Sequence, residues 1–155
     1  MRELAELKLK TTNRAEFLQK ATEIKGVYVP SITKPKYDES GKIIGFEGKK
    51  VEKAICLDLE NAVFPKTQTV GNIEAVHDRA VIEVMRGCYR GCRFCQAGFI
   101  YRPVREKTAE TVIEQAKELL KNTGYDEMSL LSLSTSDYCE INKLLSGLLD
   151  YTEQK

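Results

Sequence analysis

The apolar run Ala80-Val-Ile-Glu-Val-Met85 leads almost directly into Cys88-Tyr-Arg-Gly-Cys92-Arg-Phe-Cys95, so three thiols fall within eight residues. Few local patterns restrict a fold so strongly. Thiolates this close converge on one soft metal centre only if a tight loop carries them inward from one side. The run before them, interrupted only by Glu83, has the character of a parallel strand covered on both faces. A ligand loop at the C-terminal end of such a strand lies where α/β folds place their chemistry.

A structural zinc site takes four protein ligands, often as two C-x-x-C knuckles. Here the next cysteine is Cys139 and the single histidine is His77, and neither stands at knuckle spacing from the trio. An iron-sulfur cube held by three cysteines instead leaves one iron without a protein ligand, and an open metal position is where substrate chemistry occurs. Spacing alone leaves both the zinc and the iron-sulfur reading open.

The stretch Arg86-Gly-Cys-Tyr-Arg-Gly-Cys-Arg-Phe-Cys-Gln-Ala-Gly98 resembles the cluster loop of the radical S-adenosylmethionine (radical SAM) enzymes, including the aromatic residue before the third cysteine. The resemblance implies a [4Fe-4S] cluster held by Cys88, Cys92 and Cys95. It also implies S-adenosylmethionine on the fourth iron, cleaved reductively to a 5′-deoxyadenosyl radical, with Phe94 as a neighbour of the adenine. An electron donor and a substrate of unknown identity follow as partners. The longer string Val76-His-Asp-Arg-Ala-Val-Ile-Glu-Val-Met-Arg-Gly-Cys88 and the later Tyr101-Arg-Pro-Val-Arg-Glu106 resemble the subgroup in which a cobalamin-binding-type domain precedes the radical domain. The alternative is a non-catalytic zinc or iron-sulfur module that contacts RNA.

Five cysteines, an odd number, and the lack of an apolar run behind basic residues at the start of the sequence argue against disulfides and for a reducing, cytoplasmic setting. No apolar run approaches the roughly 20 residues that span a bilayer. Cys56 and Cys139 read as inert, partly buried thiols. Twenty-four basic against 23 acidic side chains leave +1 overall, which excludes a molecule-wide footprint for nucleic acid. The charge is uneven, since Arg86, Arg90, Arg93, Arg102, Arg105 and Lys107 surround the cysteines with Glu106 as the one acid between them. Compensation for a thiolate-rich cluster and its carboxylate ligand explains this rim, and a path for RNA is the sharper alternative.

The pattern divides the chain into a connector over residues 1–78 and the first part of a radical domain over 79–155. In the connector, Asn13-Arg-Ala-Glu16 has the form of a capping box before Phe17, Leu18, Ala21 and Ile24, and Gly26 stops that helix. Val27 to Pro35 reads as extended, Asp38 to Gly41 as a turn, and Ile43–Phe46 with Val51–Leu59 as a hairpin or small sheet. Beyond the cysteines, Thr108 caps a helix with an apolar stripe of Val112, Ile113, Ala116, Leu119 and Leu120, ending at Gly124. Met128 to Leu133 is the second strand. Asp137 to Glu140 resembles a capping box for a last helix carrying Ile141, Leu144, Leu145, Leu148 and Leu149.

The fold class is therefore α/β, a truncated radical SAM partial (β/α) barrel of two βα units behind a small α+β connector. The second strand ends at Leu131-Ser-Leu-Ser-Thr-Ser-Asp-Tyr138, where the resembled family, often with Gly-Gly-Glu, holds the amino group of the methionine moiety. Ser132, Ser134, Thr135 and Asp137 are the candidates here, with helix capping as an equal use for Ser136 and Asp137. Tyr89 and Tyr101 flank the loop, with packing as their expected job. Six barrel units need about 190 residues, so the sequence reads as a fragment that does not turn over alone, missing the C-terminal barrel and an upstream cobalamin-binding domain.

Overall fold

Thr108 caps the longest helix among the described residues, and the core of its unit is built against it. The computed structural model describes residues 2–73 and 76–153, so the outer ends of the two expected domains, residues 1 and 155, lie outside the described residues. The chain forms two compact units, residues 1–55 and 56–155, whereas the sequence pattern changes at residue 78.

In the first unit, α1 (Arg2–Lys10) and α2 (Arg14–Ala21) precede a hairpin of β1 (Pro35–Tyr37) and β2 (Ile43–Phe46). The helix α1 has no counterpart in the sequence reading. Asn13 caps α2 by accepting from the Ala15 amide at 2.8 Å, and α2 ends at Ala21, three residues before Ile24. Val27 to Pro35 is not extended, because Ile32 and Thr33 turn back onto the Val29 carbonyl. The Asp38 carboxylate closes the hairpin turn through the amides of Ser40 and Lys42. The partner of Ile43–Phe46 is thus Pro35–Tyr37, and Val51–Leu59 forms no strand.

The second unit is mixed α/β with two small sheets. Strand β3 (Ala80–Glu83) is followed by β4 (Met85–Arg86), a short helix α3 (Ala97–Ile100) and β5 (Arg105–Glu106). Helix α4 (Ala109–Thr123), strand β6 (Met128–Leu131) and helix α5 (Ile141–Glu153) complete it. β3 pairs parallel with β6, from Ala80 opposite Met128 to Glu83 opposite Leu131, and β4 pairs antiparallel with β5. The apolar run is therefore not one strand: it breaks at Val84, whose amide still reaches the Leu131 carbonyl. Ala80 and Ile82 are buried while Val81 and Glu83 are half-buried, so β3 is fully covered on one face only, against the expectation of two.

That face packs on α4. Thr108 caps α4 as its sequence foretells, and Gly124 ends it in the left-handed conformation. The stripe Val112, Ala116, Leu119 and Leu120 is buried with Ile82, Val84, Met85, Leu144 and Leu148, each large side chain contributing roughly 1.5–3 kcal/mol. Leu145 and Leu149 of α5, expected on its buried stripe, stay exposed. Tyr138 is 1% exposed and its hydroxyl donates to the Lys107 carbonyl at 2.8 Å, with burial raising its pKa. A Tyr138→Phe variant leaves that carbonyl without its donor and should lose about 1–3 kcal/mol in urea unfolding.

Residues 56–73 form no helix or strand, yet they are fastened along α4. The Glu60 carboxylate accepts from the Thr108 amide at 2.8 Å and from the hydroxyls of Thr108 and Thr111, placing a negative charge at the helix N-terminus. Phe64 packs on the core, and the Lys66 carbonyl accepts from Asn122 near the other end of α4. Among the described residues, no helix is long and apolar enough to cross a membrane.

Candidate metal centre

The cysteine loop leaves β4 through Gly87 and returns into β5. Gly87 has φ +92°, and a Cβ on it would lie 3.0 Å from the carbonyl oxygens of Tyr101 and Pro103 and from the Cα of Val104. Only glycine lets the outgoing and returning backbones approach this closely. The neck is fixed by the pairing of Met85 with Glu106 and Arg86 with Arg105.

Within the loop Cys88 is buried, Cys95 half-buried and Cys92 exposed. The Cys88 sulfur accepts from the Arg90 amide and the Cys95 sulfur from the Gly98 amide, both at 3.4 Å, while the Cys95 amide closes a turn onto the Cys92 carbonyl. These N–H donors fix the direction in which the two sulfurs face. Among the described residues, no three His, Cys, Asp or Glu side chains converge into a metal-holding group, the trio included. The fit to a sulfide cluster is thus one of donor chemistry: three soft sulfurs on one narrow-necked loop, two of them already met by N–H groups. Phe94 is 92% exposed, with its ring in solvent rather than packed.

The rim at the end of β6 is joined to this loop. Ser132 and Thr135 share a hydroxyl hydrogen bond of 2.8 Å, the Ser134 amide donates to the Ser132 hydroxyl at 3.1 Å, and the Ser134 hydroxyl donates to Asp137 at 2.7 Å. Arg90 reaches across with its Nε, 2.7 Å from Asp137 Oδ2, and with a second N–H on Oδ1. The Arg90 guanidinium, then the Ser134 hydroxyl, hold the Asp137 carboxyl below its usual pKa, and Asp137 in turn raises that of Arg90. The expected capping box at 137–140 does not form. Asp137 serves Arg90, and the Glu140 carboxylate accepts from the Ala109 amide of the neighbouring helix instead.

Several expected roles change. Arg86 forms a two-point pair with Glu83 at 2.6 and 2.8 Å, and Arg102 lies 4.8 Å over the Phe99 ring. Lys107 is no part of the rim: it is 4% exposed, donates to Gln115 at 2.9 Å, lies over Phe64, and burial lowers its pKa. Cys56 and Cys139 are exposed rather than partly buried. The Cys56 thiol donates to the Asp58 carbonyl and the Cys139 thiol to Glu106, which raises the Cys139 pKa. Tyr89 and Tyr101 are exposed, not packed. Arg90, expected only as one member of the basic rim, proves to be the partner of Asp137, a pairing across 47 positions that no local pattern announces.

Residues 82–152, from β3 into α5, match the family model described as Radical SAM superfamily. The chain is 30% identical to an uncharacterized protein of Methanocaldococcus jannaschii over 94% of its own length and 28% of that protein's. It is 30% identical to a tRNA-2-methylthio-N(6)-dimethylallyladenosine synthase of Prosthecochloris aestuarii over 47% of its length and 17% of the synthase. It is 34% identical to a ribosomal protein uS12 methylthiotransferase of a Sulfurihydrogenibium species, over 48% and 17%. The chain thus spans less than a third of each of these relatives. No solved structure matches it.

Proposed function

Because residues 82–152 belong to the radical SAM superfamily, we propose that this chain carries the cluster-holding part of a radical enzyme. Cys88, Cys92 and Cys95 are its ligands to a [4Fe-4S] cluster, and S-adenosylmethionine is its second cofactor. The observation that carries this reading is the narrow-necked loop at the end of the parallel β3–β6 pair, with N–H groups on two of its sulfurs. Such a cluster, with one iron free of protein ligands, supplies the electron that splits S-adenosylmethionine. The loop's part is to present three thiolates from one side, and Gly87 keeps its base closed.

Phe94 offers an unpacked ring for the adenine. Ser132, Ser134, Thr135 and Asp137 are the polar groups this reading offers the methionine moiety, with Asp137 shared by Arg90. In this reading β3 and β6 are the first two strands of a partial barrel, and turnover belongs to the whole protein together with an electron donor in a reducing cytoplasm. The substrates in the relatives' names, a tRNA adenosine and a ribosomal protein, are theirs. Of the arginines at the loop, Arg86 and Arg90 already pair with Glu83 and Asp137, which takes two charges from any path for RNA.

Anaerobic reconstitution with iron and sulfide tests the reading. About four irons per chain and a four-iron Mössbauer signature are expected, with the reduced cluster's electron paramagnetic resonance altered by S-adenosylmethionine. Stoichiometric zinc with no iron-sulfur signal would overturn it.

A further inference from the structure

We propose that Arg90 and Asp137 form a latch that positions the cysteine loop, an inference that rests on the reading of Cys88, Cys92 and Cys95 as cluster ligands. Arg90 sits between the first two cysteines and engages both sides of the site. Its amide donates to the Cys88 sulfur at 3.4 Å, while its guanidinium grips Asp137 at two points. Asp137 is the fixed half: 14% of its side chain is exposed, against 64% of Arg90's, and the Ser134 hydroxyl braces it at 2.7 Å. Ser134 is in turn tied through its amide to Ser132, and Ser132 to Thr135. The rim hydroxyls thus support one carboxylate, and that carboxylate holds the loop.

Only a planar, forked cation suits this geometry. Arginine binds a carboxylate with two parallel N–H bonds, whereas lysine offers a point charge that fixes no orientation. Orientation matters here because a guanidinium gripped at two points restrains the Arg90 backbone from which it springs, and with it the amide that donates to the Cys88 sulfur. Arg90 is therefore a positioning residue acting through Cys88.

The latch is tested first on the reduced, iron-free 155-residue chain by the rate of iodoacetamide alkylation of each cysteine, resolved by peptide mass spectrometry. In Arg90→Ala and in Asp137→Asn, Cys88 should react at least fivefold faster than in the parent chain, with Cys56 at its parental rate as an internal reference. Arg90→Lys should fall between parent and alanine. An unchanged Cys88 rate in Arg90→Ala, with circular dichroism preserved, would overturn the latch. Where Arg90→Ala fails to fold, Arg90→Lys and Ser134→Ala carry the same test, and a parental Cys88 rate in both overturns it. Iron retention after reconstitution should fall at least fivefold in Arg90→Ala and recover in part in Arg90→Lys, and retention equal to the parent's would overturn the positioning role. The alkylation arm contains no iron, so a parent chain that takes up none would defeat the cluster reading while the alkylation rates still decide the latch.

Discussion

Single replacement of Cys88, Cys92 or Cys95 by alanine is expected to cut iron-sulfur retention after reconstitution at least tenfold, while the same change at Cys56 or Cys139 leaves it at the parental level. A cube held by three thiolates has no spare ligand, and the loss of one exposes a second iron to solvent and exchange. The three positions differ in their surroundings. Cys88 is buried beneath its amide donor, so Cys88→Ala also removes the acceptor of the Arg90 amide. Cys92 is exposed, and its replacement should disturb the apo fold least. Cys56 and Cys139 are informative controls because their thiols already serve the Asp58 carbonyl and the Glu106 carboxylate. Loss of iron in Cys139→Ala would point to a fourth protein ligand and abolish the open coordination position. The measurement is iron and sulfide per chain on anaerobically desalted protein.

A comparably large effect is expected from Gly87→Ala. The new methyl group would meet three backbone atoms at 3.0 Å, none of them a side-chain end that swings aside, and φ +92° is strained for any residue with a Cβ. Such strain costs on the order of 1–3 kcal/mol before the neck opens. Opening it pulls β5 away from β4 and with it Glu106, the acceptor of the Cys139 amide. The urea midpoint should fall by at least 2 kcal/mol equivalent, roughly the strain alone. Gly124→Ala is the matched control: φ is +74°, but nothing lies within 4 Å of the added carbon, so only the conformational cost remains, about 1–2 kcal/mol. Equal losses in the two variants would show that the neck is not tight.

Elements set by neighbouring residues were legible in the sequence. Thr108 and Gly124 bound α4, Asn13 opens α2, and a strand forms at Ala80–Glu83 within the apolar run, though the run breaks at Val84 before the cysteines. What escaped depends on partners distant in the chain. Lys107 belongs by sequence to a basic rim, yet Phe64 and Gln115 draw its stem and ammonium into the interior. Asp137 and Glu140 have the spacing of a capping box, but Arg90 and the Ala109 amide claim them from 47 and 31 positions away. Ile43–Phe46 pairs with Pro35–Tyr37, a poorer β-former by composition than Val51–Leu59, because the Asp38 turn folds that segment back on it. Local pattern names the elements, and competition for hydrogen bonds decides where charged side chains go.

The segment from Glu60 to Lys66 bears on where this molecule can be divided. The eleven residues from Thr111 to Asn122 rise about 16 Å in a helix, and Glu60 and Lys66 hold the two ends of that rise, so the segment runs along α4 as a splint. A gene piece beginning at Arg79 would encode every strand of the second unit. It would also strip the carboxylate from the first turn of α4, the Phe64 ring from the Lys107 ammonium and a carbonyl from Asn122. A piece that carries the cysteine loop and keeps these contacts therefore begins no later than Asp58, some twenty residues before the first strand of the unit.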